Sequence, residues 1–197
     1  ENSEERAPLP LYKTISAITQ QELAKKTRHY EVDPGQFISW TRSHGDNYSS
    51  KYSTLDQITK DNVTKLEVAW SLNTDNFGEW KTNVESNPIV ANGLMYFATP
   101  QNYIVAVDVK TGILKWSYKC DSVPARRGLV WWKGTNSNSQ IFFPTTAGKL
   151  IALQAETGRP VLSFGEDGKV LTGLATSAPI VQKNQLFVAV NSPAKVE

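Results

Sequence analysis

Cysteine is almost missing from this chain. Cys120 is the only one in 197 residues, which excludes an internal disulfide and a thiolate metal cluster. Histidine is nearly as scarce: His29 and His44 have no third partner at ligand spacing and read as ordinary polar positions. Neither sign of charge dominates. The formal net charge is +2 and no block of Lys or Arg stands out, which argues against nucleic acid or an anionic membrane surface as a partner. No apolar run approaches the roughly 18 residues that span a bilayer. Phosphate-cradling G-x-G-x-x-G and P-loop patterns are missing, and Ser39 and Ser43 beside His44 read as loop residues, not as a triad. The N-terminal ENSEERAP has neither a basic n-region nor an apolar h-region, so any export signal has been removed or never existed. What is there is globular in balance, with 40% hydrophobic and 20% charged residues.

The chain divides into an arm, residues 1–36, and a main unit, residues 37–197. The arm carries a short helix candidate. Ile15, Ile18 and Leu23 fall at near-helical spacing, Thr19 and Glu22 form a capping-box pattern, and Lys25, Lys26 and Arg28 suit the end of the helix dipole. From Trp40 onward helix-period segments disappear and short β-type runs take over, broken by Gly, Asn and Pro. Pro88–Thr99 reads as two strands around an Asn92-Gly93 turn. Tyr103–Val109 alternates, and Thr111-Gly112 then turns the chain into ILKW. Gln140–Leu153 repeats the scheme with Ala147-Gly148 as its turn, followed by ETGRPVLSF, and Pro179–Val190 starts it again.

These units recur at a fixed interval. Thr111-Gly112 returns as Thr157-Gly158, and Trp70 as Trp116, both 46 residues on. A period of about 40–50 residues with four short strands is the signature of a propeller blade. The fold class is therefore all-β: an incomplete β-propeller of about three blades, preceded by a helical arm. A ring closes with about 4–8 blades. Truncation, or completion by another polypeptide supplying the missing blades, is the expected reason for so few.

Ala106–Trp116, AVDVKTGILKW, resembles the docking motif of quinoproteins, the dehydrogenases that use pyrroloquinoline quinone. In that motif the Thr-Gly turn precedes the last strand and the Trp packs flat between blades. Trp40–Trp70 resembles the family's opening segment, with Tyr52, Ser53, Leu55, Ile58, Asn62, Val63 and Leu66 at matching positions. Arg126–Gly134, Ala155–Val170 and Thr176–Val181 follow in the family's order. The stretch RPVLSFGEDGKV is similar to the membrane-associated glucose, quinate and polyol subgroup.

The resemblance implies a set of cofactor-binding residues. Glu85, before the first strand of a blade, stands at an acidic cofactor-binding position. Arg127 matches an arginine that pairs with a carboxylate or ortho-quinone oxygen, a role that suits a planar five-donor guanidinium. Thr176 matches a threonine whose hydroxyl reaches a cofactor carboxylate, and Thr145 and Asn191 are looser candidates. Trp131 and Trp132 read as blade packing. Asp121-Ser122 stands where the methanol enzymes have adjacent cysteines, and Ala194 near their calcium-binding glutamate, so no metal ligand is assigned. In the second repeat Gln154 replaces the motif's Asp and Leu162 its Trp, which is expected to weaken that blade's docking. The family's catalytic aspartate and remaining calcium ligands have no counterpart in the chain.

The resemblance implies an exported, periplasmic or extracellular, dehydrogenase lineage that binds pyrroloquinoline quinone with Ca²⁺. It would oxidise a sugar or polyol and pass electrons to a respiratory quinone, this portion being inactive by itself. A non-catalytic propeller scaffold of the outer-membrane-assembly type is the alternative. Glu85, Arg127 and Thr176 speak for the enzyme lineage, since a scaffold has no use for an acid, an arginine and a hydroxyl together at the axis.

Overall fold

The computed structural model describes residues 39–46, 48–79, 83, 85–134 and 138–193. The arm and helix expected over residues 1–36 lie outside them. Asn92 and Gly93 adopt left-handed backbone, φ 52° and 75°, as a type I′ hairpin turn requires. They join β1 (Ile89–Ala91) to β2 (Leu94–Ala98). With β3 (Tyr103–Asp108) and β4 (Leu114–Lys119) these make a four-stranded antiparallel sheet in simple sequence order. The repeat builds a second such sheet from β5 (Val130–Trp132), β6 (Gln140–Pro144), β7 (Lys149–Gln154) and β8 (Lys169–Leu171). A third unit begins after it: β9 (Gly173–Leu174) pairs with β12 (Ser192–Pro193), while β10 (Ile180–Gln182) and β11 (Gln185–Phe187) form a hairpin. The expected all-β blades are present.

The central strands of the second sheet show why their sequences are apolar without interruption. Successive side chains on a strand point to opposite faces. Ile141, Phe143, Ile151 and Leu153 join Tyr96, Ile104 and Ala106 of the first sheet in one core. Phe142, Leu150 and Ala152 belong to a second core with Val181 and Leu186 of the third unit. The second blade is thus buried on both faces by its neighbours. Trp131 and Trp132 divide the same way, one to each core, as blade-packing residues.

The outer strand β4 is exposed along much of its length, but Trp116 on it is buried. Its indole N–H donates to the Ala155 carbonyl at 2.9 Å, and its ring lies against Gly158, where a Cβ would come within 2.5 Å. Forty-six residues earlier, Trp70 donates to the Val109 carbonyl at 3.0 Å and lies on Gly112 in the same way. The docking motif therefore works by a bare glycine peptide accepting an indole face.

One expectation changes in detail. The last strand of the second sheet does not fall in ETGRPVLSF. Pro160 makes a single bridge to Leu153, the chain turns through Asp167 and Gly168 at φ 50° and 83°, and the strand is Lys169–Leu171. A proline cannot donate to a ladder and interrupts a strand there. Gln154 keeps only part of the turn's bonding: its Oε1 accepts from the Thr157 hydroxyl at 2.8 Å, whereas Asp108 Oδ1 accepts from the Thr111 hydroxyl and from the Thr111 and Lys110 N–H groups. Leu162 is 70% exposed, whereas Trp116, one period earlier, is buried.

Residues 40–45 lace the inner strands together. β5 lies between β1 and β10, so the first strands of the three units are neighbours. Trp40 and Val90 exchange backbone hydrogen bonds of 2.8 and 2.7 Å, and Trp131 N–H donates to Thr41 carbonyl at 2.7 Å. Arg42 bridges to Val130, and its guanidinium reaches the Ala178 carbonyl, ahead of β10, at 3.4 Å. The free edges of β1 and β5 are thereby covered, as exposed sheet edges must be.

Candidate cofactor cleft

The loops that lead into the three inner strands meet at one end of the blades. Asn87 N–H donates to Arg126 carbonyl at 3.4 Å, and Arg127 bridges to Ser177 in parallel fashion. The loops before β1, β5 and β10 are thus linked in series through their backbones. Beneath them the Asn87 side chain donates to the buried Ser43 hydroxyl at 2.7 Å, which fastens the first loop to the lacing segment.

These loops enclose a cleft of about 400 Å³ whose lining includes Glu85, Arg126, Arg127, Thr146 and Thr176, within the usual range of about 300–1,000 Å³ for small-molecule sites. Three sequence-derived site residues, Glu85, Arg127 and Thr176, are therefore brought together from three blades. Thr145 is buried, and its hydroxyl donates to the Lys149 carbonyl at 3.3 Å, while its neighbour Thr146 lines the cleft. Asn191 is exposed and is not among the lining residues. Its backbone N–H donates to Leu174 carbonyl at 2.8 Å, two residues before Thr176.

Sequence reading missed Arg126. Its Nη1 lies 2.7 Å from Glu85 Oε2, with the two side chains 29% and 49% exposed. Arg126 and Arg127 are the two central residues of a turn closed by Gly128 N–H on the Ala125 carbonyl at 2.9 Å, and the sequence did not say which of them would face the acid. Arg127 has no carboxylate partner among the described residues. Guanidinium and hydroxyl donors around one carboxylate suit a planar ligand bearing carboxylates or quinone oxygens. Among the described residues no group of three or more His, Cys, Asp or Glu side chains is placed to hold a metal ion, and no Ca²⁺ site is assigned to them. A larger groove, about 750 Å³ and lined in part by Ser139, Gln154, Glu156 and Arg159, lies at the other end of the second sheet and holds none of the expected site residues.

Residues 40–196 match the family model described as PQQ: Glucose/ethanol/alcohol dehydrogenase, beta-propeller domain. The dehydrogenase subunit of the quinone alcohol dehydrogenase of Gluconacetobacter polyoxogenes is 34% identical over 179 residues, covering 81% of this chain and 22% of that protein. The quinohemoprotein alcohol dehydrogenase of Comamonas testosteroni is 32% identical over 162 residues, covering 76% and 21%. Its crystal structure superposes with a TM-score of 0.61 at 29% identity over 79% of this chain and 23% of that one. A europium-containing methanol dehydrogenase superposes with a TM-score of 0.58 at 28% identity, over 75% and 26%. The chain thus spans about a quarter of the length of the proteins it matches.

Proposed function

The chain belongs to the family of PQQ-dependent glucose, ethanol and alcohol dehydrogenase β-propellers, and we propose that it forms part of a dehydrogenase that oxidises an alcohol with pyrroloquinoline quinone. The observation that carries this reading is the convergence of Glu85, Arg127 and Thr176 on one cleft from the loops of three successive blades. When bound, the quinone supplies the two-electron oxidant. The chain's own residues would hold it. Arg127 offers paired N–H donors to a carboxylate or quinone oxygen, Thr176 a hydroxyl donor, and Glu85 an acceptor.

The finer reading is a sugar or polyol substrate with a respiratory quinone as electron acceptor, supported by RPVLSFGEDGKV. The relatives' names, alcohol dehydrogenases, support simpler alcohols. Further blades or another chain would complete the ring and bring the general base and Ca²⁺. A periplasmic or extracellular location accompanies this reading, and no helix among the described residues is long and apolar enough to cross a membrane.

Titration of the purified chain with pyrroloquinoline quinone, with and without Ca²⁺ and followed by quinone absorbance, tests the proposal. Saturable binding that is lost in Arg127→Ala is expected. Folded, monodisperse chain that binds no quinone would favour the scaffold reading instead.

A further inference from the structure

Arg126 and Glu85 form the one ion pair lining the cleft among the described residues. An acid in a site for a carboxylate-bearing ligand poses a problem: bare, it repels the ligand by like-charge juxtaposition. The salt bridge answers that problem. With Arg126 held at 2.7 Å from Glu85, their charges cancel locally, and among the described residues lining the cleft Arg127 is left as the uncompensated cation. Arg126 is also well fixed for the purpose, because its carbonyl accepts from Asn87 N–H. Backbone and side chain of the same residue therefore both bind the loop that carries Glu85.

We propose that Arg126 is a positioning and specificity residue: it neutralises Glu85 and turns that carboxylate into a fixed hydrogen-bond acceptor, so that the cleft admits polycarboxylate ligands. The proposal rests on the cofactor reading of the cleft but makes a claim about charge that can fail separately. Without Arg126, Glu85 cancels Arg127 instead, and the cleft loses its net attraction for anions. Removing both members of the pair restores the original balance, which a purely packing role for Arg126 does not predict.

The test is a double-substitution cycle on the full chain, read as dissociation constants for two probes. One is pyrroloquinoline quinone; the other is benzene-1,3,5-tricarboxylate, which has the carboxylates and no quinone. Arg126→Gln is expected to weaken both by about tenfold or more, with a shallower dependence on salt. Glu85→Gln/Arg126→Gln is expected to recover to within about threefold of the parent, and Arg126→Lys to stay within about threefold of the parent. Should Arg126→Gln fold poorly, the comparison of Arg126→Lys with the double variant carries the same information. Binding of the tricarboxylate with this pattern, but of the quinone no better than weakly, upholds the role of Arg126 and overturns the cofactor reading. A double variant as weak as Arg126→Gln, an Arg126→Gln that binds like the parent, or a parent that binds neither probe overturns the proposal.

Discussion

The indole N–H of Trp116 donates to the carbonyl oxygen of Ala155 at 2.9 Å while its ring covers the peptide of Gly158. One residue of the first sheet thereby fixes the turn that follows β7 in the second. Gly158 has φ 68°, a left-handed position that costs any other L-residue roughly 1–2 kcal/mol, and an added Cβ would meet the ring at 2.5 Å. Trp116→Ala is expected to lower stability by about 3–5 kcal/mol, the usual range for a buried Trp, and Gly158→Ala by at least about 1 kcal/mol. Denaturant melts of the double variant should show less than the sum, because both substitutions break one contact. Trp70→Ala is expected to cost less, since Trp70 is only half-buried.

The Asn87–Ser43 hydrogen bond ties the first cleft loop to the lacing segment. Asn87→Ala leaves the buried Ser43 hydroxyl without that donor and should cost about 1–2 kcal/mol in denaturant unfolding. It should also weaken ligand binding in the cleft, which a substitution on the exposed face of β4, such as Lys115→Ala, should not.

Acid should loosen the first docking turn and spare the second. Hydrogen bonds from the Thr111 hydroxyl and N–H, and from Lys110 N–H, hold the Asp108 carboxyl below the usual carboxylate range. A carboxyl with a depressed folded-state pKa stabilises the fold above its unfolded value, near 3.9. That contribution is lost as pH falls through the folded value. Gln154, at the same place in the second turn, carries no charge. Thermal melts from about pH 6 to pH 2 should therefore fall less steeply for Asp108→Asn than for the parent chain. Equal slopes would show that Asp108 contributes nothing to the acid response.

Cys120 is expected to be inert in the folded chain. It is buried, and burial, with Asp121 adding, pushes its thiol up to about 12, so almost no thiolate exists near neutrality. A thiol reagent at about pH 8 should label it only as fast as the fold opens, and denaturant should accelerate the reaction in step with unfolding. Immediate stoichiometric labelling of native protein would contradict the packing described for the end of β4.

The architecture was legible because the repeat is written in residues with a geometric job. Trp70 and Trp116 need a glycine to lie on, and Thr111-Gly112 and Thr157-Gly158 provide it one period apart. Asn92-Gly93 marks its turn for the same kind of reason. The site was legible to the extent that it sits where inner strands begin, which the resemblance located at Glu85, Arg127 and Thr176. What escaped was pairing between segments without periodicity. Nothing in Trp40–Gly45 announces that it borders β1 and β5, because only two or three of its residues make the bonds. The Arg126–Glu85 ion pair joins loops 41 residues apart, and neither residue type specifies the other. Pro160 was visible, but its effect in moving the last strand of the second sheet to Lys169–Leu171 depended on where the chain could next find a free edge.

The central claim is that three blade loops build one cofactor cleft, and hydrogen exchange with and without pyrroloquinoline quinone tests it most directly. Ligand-induced protection is predicted in three separate stretches, residues 85–87, 126–129 and 175–178, with the outer strands β4 and β8 unchanged. Protection confined to another region, such as the groove around Gln154 and Arg159, or no protection at saturating quinone, would contradict it.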